Sequence, residues 1–370
     1  MKKSLLVVAA LVPALFLTAC GGSNGGSDAS ASDTTACVAK ATEQKKTKTD
    51  PVQPHLRGAL DLSKVKGKNI WIVNAARVPF LQQISDGAAA AAKAAGMTTK
   101  AVYGDGTTAS AQSAVEQAIA QKADGIILVV VDPATIERAV KNAHDAGIVV
   151  TDAINRNVGA ALPAGISGTA SVDLTGDLKA LTGWIMKDSG CKADTLMYSP
   201  SSLPITVESA KLFEKEYKAL CPACKFEVKD LDYGKFASTL TSEVQTDVRR
   251  NPSLTHIFSI VGSTVPYVQA GLRSSGSHVH LATSDGLADN IEALRKKAGN
   301  LYSDFAFPPT PSLGWQLIDQ QARLLQGDSS AKDIVLPQRL LDRDNVGQTE
   351  VEAWPAYADF ESAYQKAWRG

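Results

Sequence analysis

Histidine and cysteine are scarce, five of each in 370 residues. That is too few for a multi-metal centre. Neither sign of charge dominates: Lys plus Arg and Asp plus Glu both number 38. A chain without basic excess argues against a nucleic-acid partner, which needs at least one basic face. Beyond the opening segment no apolar run reaches the ~18 residues needed to span a bilayer, which excludes a multispan transporter or channel. Catalytic signatures are missing as well. There is no G-x-S-x-G elbow, no G-x-x-x-x-G-K-[ST] loop and no H-E-x-x-H pair. The chain therefore reads as a non-enzyme with no cofactor and no metal. What is present is 44% hydrophobic and 21% charged residues. Those are ordinary globular proportions, and the length suits about two domains.

The opening segment is an address. Lys2 and Lys3 precede an apolar run from Leu5 to Leu17, of signal-peptide length. Leu17-Thr18-Ala19-Cys20 follows and is similar to the bacterial lipobox, whose Cys receives a diacylglyceryl group. Residues 1–19 are then a lipoprotein signal peptide, and Cys20 is the lipid anchor. Residues 20–66 form a tether and N-terminal extension. Its Gly/Ser/Asp-rich part, residues 21–35, reads as flexible. The expected location is the outer face of a bacterial membrane, in the cell envelope or periplasm.

Export permits disulfides among Cys37, Cys191, Cys221 and Cys224. Cys221-Pro222-Ala223-Cys224 has the C-x-x-C form of thiol oxidoreductases. A redox pair opens a helix, whereas this one follows a helical stretch and precedes a strand, so it reads as structural. Cys191 also sits just before a strand, near the pair if the two strands are parallel neighbours. At least one bridge is expected among Cys191, Cys221 and Cys224. The pairing and the partner of Cys37 stay open.

From residue 68 short apolar runs alternate with amphipathic helical stretches. Runs such as GIILVVVD read as parallel strands buried on both faces. Gly96, Gly147, Gly276 and Gly299 read as helix C-caps. Strand–helix repetition implies right-handed βαβ units and an α/β fold. Four runs lie in residues 69–155 and about five in 194–307, too many for one ordinary sheet. The expectation is two doubly wound parallel-sheet lobes with a hinge and an interlobe cleft. The first comprises residues 67–171 plus 308–330. The second comprises 172–307 plus 331–358, and a C-terminal helix occupies 359–370. Crossings fall near 172, 308 and 330.

Two patterns are set aside. Gly104-Asp105-Gly106-Thr107-Thr108-Ala109 matches G-x-G-x-x-A, but it follows the second strand where a dinucleotide fingerprint follows the first, and it reads as a turn. His278-Val279-His280 would place two imidazoles on one strand face. They read as ordinary residues at the start of a strand, and Asp188 and Asp194 as solvated surface charge.

Several local sequences, in order along residues 67–345, resemble the ribose-binding-protein-like (type I) periplasmic solute-binding proteins of ABC importers. Val78-Pro79-Phe80 is similar to that family's Asn-Pro-Phe entrance to the first helix. Val131-Asp132-Pro133, Asp232-Tyr233, Thr283-Ser284-Asp285-Gly286 and Phe307-Pro308 resemble its strand-end turns and crossover. The resemblance implies a small-molecule ligand, ABC permease subunits as partners, hinge closure and a monomer. It places the ligand against Asn74, Phe80 and Asp132 of the first lobe, Asn155 near the hinge, Tyr233 and Asp285 of the second lobe, and Phe307 at the crossover. Three positions depart from the pentose-binding pattern: Val78, Val261 and Phe307 stand where amides are usual. A pocket without those amides leaves sugar hydroxyls unpaired at ~1–3 kcal/mol each. A sugar, a polyol or a less polar sugar-like or aromatic compound then fits. The alternatives are a sensory module feeding a membrane receptor, and an exported hydrolase.

Overall fold

The computed structural model describes residues 31–370. Cys20 and the signal segment lie outside the described residues. Among the described residues twelve strands form two six-stranded sheets. The first holds β1 (Asn69–Asn74), β2 (Thr98–Tyr103), β3 (Gly125–Val129), β4 (Val149–Asn157), β5 (Gly168–Val172) and β11 (Asp333–Val335), in the order β11-β5-β4-β3-β1-β2. The second holds β6 (Asp194–Ser199), β7 (Lys225–Asp230), β8 (His256–Ser259), β9 (His280–Ser284), β10 (Leu301–Ala306) and β12 (Arg339–Asp342), in the order β12-β10-β9-β8-β6-β7. All neighbours are parallel except β12, which runs antiparallel to β10.

β3 shows why these runs become strands. All five of its residues, GIILV, are buried, which needs helices on both faces. The helices are α1 (Ala31–Lys46), α2 (Pro79–Ala94), α3 (Thr108–Ala120), α4 (Glu137–Asp145), α5 (Leu174–Asp188), α6 (Pro204–Leu220), α7 (Phe236–Arg250), α8 (Val265–Ser274), α9 (Ala288–Arg295), α10 (Thr310–Leu325), α11 (Glu350–Ala353) and α12 (Phe360–Arg369). In the first lobe α2 and α10 meet at backbone distance. A Cβ added to Gly314 would lie 2.2 Å from the Ala88 amide nitrogen, and one added to Gly87 would lie 2.0 Å from the Pro311 carbonyl. Gly96, Gly147 and Gly276 do take positive φ just past helix ends. After α9 it is Lys297, at φ 50°, that takes this role ahead of Gly299.

The chain crosses between the sheets after β5, after β10 and between β11 and β12. The expected third crossing near residue 330 is corrected: β11 still belongs to the first sheet, so that crossing is Leu336–Gln338. β5 lies between the two sets of apolar runs, where Gly165 and Gly168 interrupt the pattern. At the C-terminus Trp368 of α12 stacks on Trp315 of α10 at 5.5 Å and donates to Asp319 Oδ1 at 2.7 Å.

The N-terminal extension is also corrected. Residues 31–35 are the first turn of α1, not flexible tether. α1 lies against α5, so closely that a Cβ on Gly183 would sit 2.6 Å from the Ala41 carbonyl. Cys37 bonds to Cys191, which fastens α1 to the second lobe, while Cys221 and Cys224 bond to each other. Cys191 does neighbour the C-x-x-C pair, since β6 and β7 are parallel neighbours. Its partner is Cys37 because α1 packs across the same end of the lobe. Beyond α1 the extension passes the third crossing, where the Lys48 carbonyl accepts from Leu340 N at 2.7 Å and the Thr49 carbonyl from Arg339 Nε at 2.7 Å. It then reaches the first lobe, where the Gly58 carbonyl accepts from Arg323 Nη2 at 2.6 Å. It is thus a fourth connection between the lobes.

Candidate ligand site between the lobes

A cavity lies where the carboxyl ends of the two sheets face each other, the usual ligand position for open α/β sheets. Val130, Ile154 and Val172 come from the ends of β3, β4 and β5; Val261, Asp285 and Phe307 follow β8, β9 and β10. Its volume is about 100 Å³, far under the ~300–1,000 Å³ typical of drug-sized ligands. The lobes meet at the mouth, where a Cβ on Gly106 would lie 3.8 Å from the Tyr233 ring.

Backbone strain collects here. Val130 (φ 56°), Ile154 (φ 59°) and Asp285 (φ 84°) all occupy the left-handed region and all line the cavity. Each such residue costs about 1–3 kcal/mol, and for a β-branched residue the conformation is a true outlier. At the turn after β9 a side chain on the next residue is impossible. A Cβ on Gly286 (φ 69°) would lie 2.6 Å from the Phe307 carbonyl.

Of the residues singled out from sequence, Phe80, Tyr233, Asp285 and Phe307 are brought together in the cavity lining. Phe80 and Phe307 stack with centroids 5.4 Å apart, joining the first lobe to the crossover. Asn74, Asp132 and Asn155 do not line it, which corrects their placement. Asn74 is fully buried at the end of β1, and its amide donates to Ser85 Oγ at 3.1 Å and the Val102 carbonyl at 3.2 Å. Asp132 caps the turn Pro133–Ile136 by accepting from Ala134 N at 3.0 Å. Asn155 is turned toward the Leu128 carbonyl, and its neighbour Ile154 faces the cavity instead. Asp152 and Arg156, on either side, form a buried ion pair. Asp285 is not a cap for α9, whose N-cap is Leu287. It accepts from Gly262 N at 2.7 Å and so ties the ends of β8 and β9.

Three carboxyl groups set the electrostatics, two of them in the lining and one behind it. Burial pushes Asp285 up to about 6, against the opposing hydrogen bonds from Gly262 and Ser284. Behind it Asp304 accepts from Gly286 N at 3.0 Å. Burial first, and then the Asp285 charge, hold Asp304 well above the usual carboxylate range. Asp177, in the first turn of α5, is pushed up to about 7 by burial, with Lys48 opposing. The Lys48 ammonium lies 2.7 Å from Asp177 Oδ1 and 2.8 Å from Asp173 Oδ2. No Lys, Arg or His lines the cavity itself. Its chemistry is therefore largely apolar walls with the acceptor carboxyls of Asp177 and Asp285 and a few uncharged polar groups, Gln338 and the Thr206 and Ser284 hydroxyls among them, suited to hydroxyl or amine donors and unsuited to an anion. Sequence reasoning passed over Asp177. The available signal was an acidic residue set among Leu174, Leu178 and Leu181 on an otherwise apolar helix face.

Two parallel-sheet lobes facing each other across an interlobe cavity define a solute-binding architecture of the type I kind. The sequence agrees: residues 70–329 match the family model described as periplasmic binding protein domain, and the chain belongs to that family. No curated protein matches the sequence significantly. Solved structures share the fold. An ABC-transporter solute-binding protein from Agrobacterium vitis with bound allitol aligns at TM-score 0.67 and 22% identity, covering 76% of this chain and 97% of that one. A 5-methylthioribose transporter solute-binding protein from Thermotoga lettingae, in complex with 5-methylthioribose, aligns at TM-score 0.71 and 16% identity, covering 80% and 98%. A solute-binding protein from Burkholderia graminis with D-arabinose aligns at TM-score 0.66 and 20% identity, covering 77% and 98%. Among the described residues no helix is long and apolar enough to cross a membrane.

Proposed function

We propose that this protein is the lipid-anchored, extracytoplasmic solute-binding subunit of an ABC importer. It takes up one small sugar-like or polyol-like molecule between its lobes and presents the closed form to permease subunits. The observation that carries this reading is the cavity built from strand ends of both sheets, lined by the stacked Phe80 and Phe307 and by Asp285. The aromatic faces suit the C–H face of a sugar-like ring, and the carboxylate suits its hydroxyls. The apolar Val130, Ile154 and Val261 favour a ligand with fewer hydroxyls than a free hexose. Contacts made with both lobes exist only when the cleft is shut, so the ligand draws the hinge equilibrium toward closure. Cys20 supplies the anchor. A diacylglyceryl group gives the two acyl chains that firm retention requires, and a mature N-terminus found unmodified by mass spectrometry would remove that part of the proposal.

The test begins with a thermal-shift panel of sugars, polyols, deoxy- and thio-sugars and small aromatic alcohols, since a ligand raises stability by RT ln(1 + [L]/Kd). Calorimetric titration then compares wild type with Asp285→Asn. Removing the charge is expected to cost ~1.5–3 kcal/mol, roughly 10- to 150-fold in Kd. Wild-type affinity is also expected to fall as pH drops through about 6, where Asp285 takes up a proton. Equal affinities for the two proteins would make Asp285 a purely structural tie between β8 and β9.

A further inference from the structure

At the opposite end of the second sheet from the cleft, three side chains converge on one point. His256 and His280 are the first residues of β8 and β9 and stand directly opposite each other in the parallel register. Asp188 is the last residue of α5, which packs over that sheet end. His256 Nε2 lies 3.0 Å from Asp188 Oδ2, and His280 Nδ1 lies 2.6 Å from the same oxygen. All three atoms fall within 4.8 Å of one another. His278 takes no part, because β9 starts two residues later. The histidine pair is therefore a cross-strand pair that sequence proximity does not reveal, and Asp188 is not simple surface charge.

The buried member is oriented from behind. Thr255 Oγ1 donates to the Asp194 carbonyl at 2.9 Å and accepts from Asp194 N at 2.9 Å, so its own proton is in use. With that proton so used, the remaining contact, 2.9 Å to His256 Nδ1, is assigned as an Nδ1–H donated to the hydroxyl. This arrangement leaves the Nε2 lone pair of a neutral His256 aimed at a carboxylate oxygen. In that tautomer the Nε2 and Oδ2 lone pairs face each other unless a metal ion or a second ring proton lies between them. A ligating imidazole whose other nitrogen is held by a hydrogen bond is the standard second layer of a metal site. The His280 ring is held by stacking on Tyr302 at 3.6 Å, with the Arg343 guanidinium over the far ring at 3.6 Å. The side chains of Asp188 and His280 are 27% and 30% exposed while that of His256 is 2% exposed, so the point is reachable from an open groove.

We propose that Asp188 Oδ2, His256 Nε2 and His280 Nδ1 bind one divalent transition-metal ion of the zinc class, with solvent completing the coordination. Two imidazoles and one carboxylate are a donor set that such ions take and that Ca²⁺ and Mg²⁺ do not. Bonds of about 2.0–2.2 Å place neighbouring ligand atoms about 3.3 Å apart, so the contacts of Asp188 with His256, now 3.0 Å, and with His280, now 2.6 Å, need to widen by less than about 1 Å. The ion would clamp α5 to the starts of β8 and β9. It sits on the far side of the sheet from the cleft and does not touch the solute.

The test uses the mature full-length protein, stripped with a chelator and free of any cleft ligand, titrated with Zn²⁺ against a chromophoric competitor. Wild type is expected to take up one equivalent that His280→Gln and Asp188→Asn both lose, while His278→Ala keeps it. Both losing variants alter partly exposed side chains, and circular dichroism confirms their folding. A Zn²⁺-dependent rise in the unfolding midpoint of wild type, absent in His280→Gln, is expected alongside. No stoichiometric uptake by wild type would assign the cluster a shared proton and overturn the proposal. Equal uptake by wild type and His280→Gln would also overturn it, by placing the metal elsewhere.

Discussion

Lys48 comes from outside the family-matched region and reaches the wall of the cavity, so replacing it tests how the extension and the site are joined. Lys48→Met keeps the aliphatic stem and removes the charge. Asp177, its partner, has a side chain only 5% exposed and titrates near 7 with Lys48 in place. At pH 7.5 its ionisation stabilises the folded chain by about 0.8 kcal/mol over the neutral acid. Without Lys48 the buried acid keeps its proton and that increment is lost. The second contact, to an Asp173 side chain 40% exposed, is screened and adds at most ~1 kcal/mol. The expected destabilisation is therefore about 1–2 kcal/mol at pH 7.5 and no more than about 1 at pH 5.5, where Asp177 is neutral in both proteins. The sign for Asp177 itself follows from its raised value: it favours the fold most at low pH, and that contribution fades as pH rises from about 4 through 7. Urea unfolding of both proteins at the two pH values measures the difference. A loss of about 3–5 kcal/mol at both would mean an unpaired charge left in the interior, and would refute the claim that Asp177 escapes by protonation.

Two further perturbations probe the frame. Cys37→Ser opens a bridge between residues 154 apart in sequence; loop entropy sets an upper bound of about 5 kcal/mol on the loss, and non-reducing peptide maps should show Cys37–Cys191 and Cys221–Cys224, with any Cys191 link to the C-x-x-C pair contradicting the fold. Gly314→Ala drives a methyl into the backbone of α2; a loss of ~1–3 kcal/mol is expected, and an unchanged denaturation midpoint would show that α2 and α10 separate freely.

The lobes were legible because GIILV and its counterparts are hydrophobic on both faces, a pattern that only sandwiched parallel strands produce. β5 and β11 were not: β5 (GTASV) is buried but built of small and polar residues, and the edge strand β11 tolerates the exposed Asp333 and Val335. Phe80, Tyr233, Asp285 and Phe307 fall in the cavity lining; Asp285 and Phe307 follow β9 and β10 directly, Tyr233 lies in the turn after β7, and Phe80 stands in the first turn of α2. Asn74, Asp132 and Asn155 occupy similar positions, but a side chain at a strand end can turn inward to satisfy backbone groups, and sequence does not show which way it turns. The N-terminal extension was misread for a different reason. The Gly/Ser/Asp composition of residues 21–35 masks the start of α1, which owes its order to packing on α5 and to Cys37 rather than to its own helical tendency. His256 and His280 stand 24 positions apart, and only the β8–β9 register joins them.

The central claim is that a small solute binds between the lobes and holds them shut. Small-angle X-ray scattering of the purified protein, alone and saturated with the strongest compound from the thermal-shift panel, tests it most directly. The account predicts a smaller radius of gyration with ligand, and a bound profile that the structure described here reproduces. An unchanged profile at saturating ligand would contradict closure of the lobes around a solute.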